Sequence, residues 1–238
     1  MFFALGPRAA FLSDSNEALV TTYRAIQFDL PGVLRELQDL PPPQTPDEYY
    51  ERRSHFNRLL TRRRQRSKRS AAELAALFIW LNHTCYNGLY RVNQKGEFNV
   101  PMGSYVNPGI YSSEGLELAH ACLVRANARV ECIDYAGALA MAHEGDFAYL
   151  DPPYQPVSAT AKFTSYTKEG FGETEQRRLA DTIHDAAARG VRIVLSNSPS
   201  DAIRALYQDL RIEVVKAPRA ISCVGSKRAA VNEFVVVA

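Results

Sequence analysis

Asp146–Tyr154 reads DFAYLDPPY, and this stretch decides the fold. Asp146–Leu150 (DFAYL) is a short, mostly apolar run with aromatic residues, the make-up of a strand. Asp151, Pro152 and Pro153 end it, because consecutive prolines supply no backbone donors for a ladder. Working outward, the pattern repeats. Glu173–Arg189 has helical spacing, Val191–Leu195 is a second strand ending at Ser196-Asn197, residues 200–207 are helical and 211–216 form a third strand. Val231–Val237 is the last strand, after a turn at Gly225-Ser226-Lys227. Upstream, residues 9–12 (AAFL) read as a strand. Glu17–Phe28 reads as a helix capped by Ser13, Asp14 or Ser15. Ala71–Leu81 and residues 114–126 are helical, and Arg129–Ile133 is a strand. Strands alternating with helices predict an α/β fold, a largely parallel sheet with helices on both faces. Ligands gather at the carboxyl ends of strands in such sheets. That singles out Asp14, Asp134, Asp151 and Asn197, which end predicted strands on that one edge.

Between the two halves the chain changes character. Asp39–Pro46 (DLPPPQTP) is a proline break that forbids helix and central strand. Asn82–Asn107 is polar and punctuated by glycine, and alternation around Gln94-Lys95-Gly96 predicts a hairpin. Arg52–Arg69 holds nine Lys or Arg and no acidic residue, which leaves 19 basic against 26 acidic residues elsewhere, for a net charge of only +2. A cationic segment on a mildly acidic body suits a polyanion. A solvated helix face is the competing reading.

The 238 residues suffice for one α/β domain of ordinary size or a core domain carrying a smaller insert, and 46% apolar with 23% charged residues excludes a disordered chain. No run approaches the roughly 20 apolar residues of a membrane span. The opening MFFALGPRAAFL lacks a basic start and is broken by Pro7 and Arg8, so it is no secretory signal and a cytoplasmic protein is expected. Cys85, Cys122, Cys132 and Cys223 show no metal-ligand spacing and are expected to be small buried thiols.

Asp151-Pro152-Pro153-Tyr154 carries the sharpest chemistry. The rigid turn fixes outward-facing carbonyls, Asp151 adds a side-chain acceptor and Tyr154 an aromatic face. Two acceptors beside a ring suit a planar amino group, such as the exocyclic amine of a base flipped out of a duplex. An ordinary strand-end proline turn is the alternative.

Several motifs in register resemble a known family. YNGLYRVNQKGEFNVPMG (86–103), LDPPY (150–154), FTSY (163–166), VLSNS (194–198) and RAISCVGSKRAAVNEFVVV (219–237) are similar to the Dam-type, α-group N6-adenine DNA methyltransferases. The resemblance runs from about residue 2 to the end. It implies a Rossmann-like S-adenosylmethionine-dependent methyltransferase sheet plus a small helical and hairpin insert for target recognition. Residues 1–40 and 108–238 would form the catalytic domain and 41–107 the DNA-binding insert. It implies methyl transfer from S-adenosylmethionine to adenine N6 in GATC-like double-stranded DNA, by a monomer, with no metal and no membrane. Asp151, the Pro152 carbonyl and Tyr154 would hold the flipped adenine and make its amine more nucleophilic. Asp14 would hold the cofactor ribose, Asp134 and Tyr135 its adenine, with Asp151 bordering the same site. Taken singly, Asp14 and Asp134 read as helix caps. Phe163 and Tyr166 would shape a lid, with packing as the alternative.

In the hairpin, Arg91 would read a guanine and Leu89 a thymine methyl, with Asn93 and Pro101 close by. Tyr86 would wedge beside the flipped base, next to Asn87. An ordinary surface loop is the competing reading. The basic run would meet phosphates, which carry no sequence information.

One departure stands out. The family begins with a Lys-containing cofactor loop and a strand ending in Phe-x-Gly-x-Gly, and Met1–Leu5 aligns just after that turn. Loss of a central strand predicts two unpaired strand edges. Either the chain starts at an internal methionine about 30 residues late, or it is a weak or inactive DNA-binding remnant.

Overall fold

The computed structural model describes residues 1–61, 67–154, 171–217 and 231–238. By internal contacts the chain divides into Met1–Ile133 and Asp134–Ala238.

In the first unit, helix α1 (Phe2–Leu5) precedes strand β1 (Phe11–Ser13) and helix α2 (Glu17–Gln38). Strand β2 (Arg129–Glu131) pairs with β1 in parallel, Leu12 opposite Val130. The α2 cap is Asn16, whose side chain accepts the amides of Ala18 and Leu19, and not Ser13, Asp14 or Ser15. Asp14 instead accepts the Asn16 amide at 2.7 Å. Helix α2 runs ten residues beyond Phe28, across a kink at Asp29 that lets Pro31 open a second helical stretch. Asp29 caps that stretch on the Gly32 amide, and any side chain at position 32 would collide with the Asp29 carboxylate. Pro46 likewise opens helix α3 (Pro46–Thr61), since a missing N–H costs nothing in a first turn. Helix α4 (Lys68–Thr84) exceeds the expected Ala71–Leu81 at both ends, capped by Ser67. Helix α5 (Ser113–Arg125) leads into β2.

Two hydrophobic clusters hold this unit. One joins Trp80 of α4 to Tyr49 and Phe56 of α3 and to Phe98. The other joins Val20 and Ile26 of α2 to Leu123 and Val130. The proposed insert, 41–107, lies inside this unit, where α4 packs on α2.

In the second unit, helix α6 (Tyr135–Ala140) precedes strand β3 (Phe147–Leu150), helix α7 (Glu173–Ala188), strand β4 (Arg192–Asn197), helix α8 (Asp201–Leu206), and strands β5 (Arg211–Ala217) and β6 (Val231–Val237). The strand order is β3-β4-β6-β5. β3 and β4 are parallel, with Leu150 opposite Leu195. β6 lies antiparallel between β4 and β5, so the sheet is mixed where a largely parallel one was expected. β6 runs opposite to both of its neighbours, so only the β3–β4 pair of this sheet is parallel. Leu179 and Ile183 of α7 seal against Ile193 and Leu195 of β4, and against Tyr207 and Phe234. Among the described residues, β1 pairs only with β2, and β3 only with β4.

No helix among the described residues is long and apolar enough to cross a membrane. No group of potential metal ligands occurs among them either. Cys85 is buried, and burial pushes its thiol up to about 11. Cys132 is exposed, against the expectation of a buried thiol, because it lies just past the short strand β2. Cys223 lies outside the described residues.

Candidate active site and recognition hairpin

In the second unit β3 delivers the turn 151–154 directly at its carboxyl end. Burial first, and the nearby Glu233 carboxylate second, raise the Asp151 carboxyl above its ordinary range. Tyr154 is half-buried, and its phenol also rises, chiefly through burial, then through the charges of Asp151 and Glu233. Glu233 thus lies near enough to act on the Tyr154 phenol as well as on Asp151. The group is therefore a carboxyl, a phenol and a second carboxyl, held together at one strand end. Glu233 was not anticipated from sequence. Its only signal is its position on β6, one step from Phe234, which faces Asn197 at the end of β4.

Behind the turn lies a buried polar chain. Gln176 of α7 donates to the Pro153 carbonyl at 3.2 Å and accepts from Asn197 at 3.1 Å. The Asn197 carbonyl oxygen accepts the Ser198 amide at 2.8 Å. The strand-end Asn197 thus faces inward and props α7 rather than lining an open edge.

Asp134 caps α6, accepting the Gly137 amide at 2.8 Å, and pairs with Arg178 at 2.9 Å. The Gly137 amide is the largest influence, and with Arg178 it holds the carboxyl below its ordinary range. Tyr135 donates to Glu175 at 3.1 Å, while Arg178 lies 5.2 Å from its ring centre. Burial, then Glu175, push the Tyr135 hydroxyl up to about 12. The cap reading of Asp134 is realised, and the carboxylate still has lone pairs to accept from an amine.

In the first unit Asp14 follows β1, where burial outweighs the Asn16 amide and raises its carboxyl. Each unit by itself offers groups with chemistry suited to one part of S-adenosylmethionine, the Asp14 carboxylate in the first and Asp134 with Tyr135 in the second. A carboxylate suits a ribose diol, and a carboxylate beside an aromatic ring suits a purine with its amine.

The hairpin is present, though as a turn rather than long strands. Gly96, at φ +80°, closes the turn, and Val92 bridges Phe98. Asn93 organises it, accepting from the Lys95 and Glu97 amides and donating to the Glu97 carboxylate. Arg91 crosses to Asn99, Nε donating to the side-chain oxygen at 2.8 Å. Helix α3 braces the returning limb. Asn57 bonds both the amide and the carbonyl of Phe98, while Tyr49 and Arg53 donate to the Val100 carbonyl. Leu89 packs partly on the first core, and Tyr86 and Pro101 are exposed, joined by the Tyr86 amide donating to the Pro101 carbonyl. Asn87 adopts φ +54° in the 3-10 turn 86–88. The bracing residues Tyr49 and Asn57 of α3 carry no signal in the sequence reading, which takes Arg52–Arg69 only as a charge run.

That run is divided in use. Arg52 donates to the Pro41 carbonyl and lies 4.8 Å from the Trp80 ring centre. Arg53 is likewise engaged, at 4.7 Å from Tyr50. Arg58, Lys68 and Arg69 are exposed, whereas Arg62, Arg63, Arg64 and Arg66 lie outside the described residues, as do Phe163 and Tyr166.

A mixed α/β sheet with flanking helices is the Rossmann-like fold of methyltransferases. Residues 1–221 match the family described as D12 class N6 adenine-specific DNA methyltransferase, and the chain belongs to that family. It is 38% identical over 237 residues to the type II methyltransferase M1.LlaDCHI of Lactococcus lactis subsp. cremoris, covering 99% of this chain and 81% of the relative. It is 37% identical over 229 residues to M.MjaIII of Methanocaldococcus jannaschii, covering 93% and 76%. The DNA adenine methylase of Escherichia coli K12 is 35% identical over 225 residues, covering 94% and 77%. At the level of the family, then, the activity is methylation of adenine N6 in DNA, and the family uses S-adenosylmethionine.

Proposed function

We propose that this chain methylates N6 of an adenine flipped out of GATC-like duplex DNA. The observation that carries the reading is the turn 151–154, seated at a strand end with the Asp151 carboxyl and the Tyr154 ring together. The ionised Asp151 side chain and the Pro152 carbonyl accept the two amine hydrogens, drawing nitrogen density out of the purine ring. Tyr154 stacks on the base, and orientation with fixed acceptors supplies the acceleration. S-adenosylmethionine, when bound, supplies an electrophilic methyl group. Asp14 would hold its ribose, and Asp134 with Tyr135 its adenine. Arg91 reads guanine through O6 and N7, Leu89 meets a thymine methyl, and Asn93 and Pro101 border them. Tyr86 and Asn87 fill the gap that the flipped base leaves.

The test is transfer of labelled methyl from S-adenosylmethionine to duplexes with and without GATC, alongside protection of GATC from cleavage. Incorporation only into GATC duplexes supports the reading. Equal labelling of all sequences, or of RNA alone, overturns it. A second reading is a DNA-binding remnant of weak turnover. Among the described residues β1 pairs on one side with β2 and β3 on one side with β4, and this is the observation that favours it. Tight, salt-sensitive DNA binding without methyl transfer would select it.

A further inference from the structure

We propose that Gln176 is a positioning residue for methyl transfer, its side-chain amide setting the orientation of the Asp-Pro-Pro-Tyr turn. The inference rests on Asp151, Pro152 and Tyr154 holding the adenine. Gln176 occupies the first position of the stripe that α7 buries, followed by Leu179, Ala180, Ile183 and Ala186, and it is 1% exposed. A glutamine so deep is costly unless bonded. Its bonds have one possible polarity. The Asn197 oxygen is taken by the Ser198 amide, which can only donate, so the Asn197 amino group must donate to Gln176. The amino group of Gln176 must then face the Pro153 carbonyl, 3.2 Å away.

The consequence for the turn is geometric. Proline rings fix φ at 152 and 153, and ψ is the remaining freedom. The Pro153 carbonyl shares a rigid peptide plane with the Tyr154 amide. Holding that carbonyl fixes the direction in which the chain leaves toward the Tyr154 ring. Asn197 is wholly buried, so the anchor itself is fixed by β4.

The test compares Gln176→Met and Gln176→Glu with the natural chain in full length. Two readouts are used: methyl transfer to duplex DNA across pH, and the amide resonance of Tyr154 without cofactor. Gln176→Met removes both bonds and should lower kcat about a hundredfold, the scale of lost alignment, with DNA affinity within about twofold. In Gln176→Glu the protonated side chain can still donate to Pro153, whereas the ionised one meets the carbonyl with like partial charge. Burial lifts such a carboxyl to roughly 6 or above. This variant should therefore work at low pH and fail as pH rises, a limb absent from the natural chain. Asp151 on the same turn titrates in both proteins, so the difference between the profiles is diagnostic. The Tyr154 resonance should follow the introduced carboxyl. Superimposable profiles, or a Tyr154 resonance that ignores the titration, overturn the proposal even if Gln176→Met fails to fold. If no protein transfers methyl, the proposed function falls, while the Tyr154 titration still decides the role of Gln176.

Discussion

At the residue scale, the proposed reaction needs Asp151 ionised, and its surroundings raise its pKa. Its raised pKa places the acid limb of kcat/KM above the 3.8 of an ordinary aspartate. Activity is therefore lost as pH falls through that raised value. Glu233 contributes to the shift, second to burial, so Glu233→Gln should move the limb to lower pH without abolishing it. A pH–rate profile checks this, and an unmoved limb would show that Glu233 has no electrostatic hold on Asp151. Tyr154 is assigned by its ring rather than its hydroxyl. Tyr154→Phe should keep most activity, whereas Tyr154→Ala should forfeit about 1–3 kcal/mol of stacking, read as loss of base flipping with 2-aminopurine. The turn was legible in sequence because prolines act locally. Glu233 and Gln176 were not, because only strand pairing and helix packing carry them to the turn.

At the element scale, the hairpin is prepared by its brace. The reciprocal bonds of Asn57 replace a strand partner for Phe98. Asn57→Ala leaves that amide and carbonyl dependent on water, costing about 1–3 kcal/mol locally. Amide exchange should quicken in residues 92–99 while the rest of the molecule is unchanged. Arg91→Ala should relax base choice by about 1–3 kcal/mol, measured as the ratio of methylation rates on cognate and substituted sites. Neutralising Arg62–Arg64 should instead weaken all DNA alike and flatten the salt dependence. Identical effects from both changes would abolish the division between reading and phosphate contact. The turn at Gly96 was readable from sequence, since a positive φ selects glycine locally. The brace was hidden in a segment whose charge masked its buried stripe of Tyr49, Phe56 and Leu59.

At the scale of the molecule, each unit has its own core. Trp80, the sole tryptophan, is buried in the first and reports on it alone. Phe56 is wholly buried in the same cluster, and Phe56→Ala should cost about 3–5 kcal/mol, seen as an earlier urea transition in Trp80 emission. An unchanged midpoint would mean that the α3–α4 cluster contributes little to folding. Within the second unit, β6 entering between β4 and β5 brings Glu233 beside the turn, so the mixed sheet completes the candidate site.

Periodicity, proline punctuation and the order of motifs were enough to determine the α/β class, the strand-end turn, the hairpin and the family. These are local properties, written in neighbouring residues whose backbone preferences act on themselves. Tertiary structure alone decided which polar groups are spent inside the fold. Asn197 turned from an edge residue into an internal prop, and Arg52 and Arg53 into packed side chains. A polar side chain exchanges water for whichever partner the packed backbone presents, and that partner can lie far away in sequence.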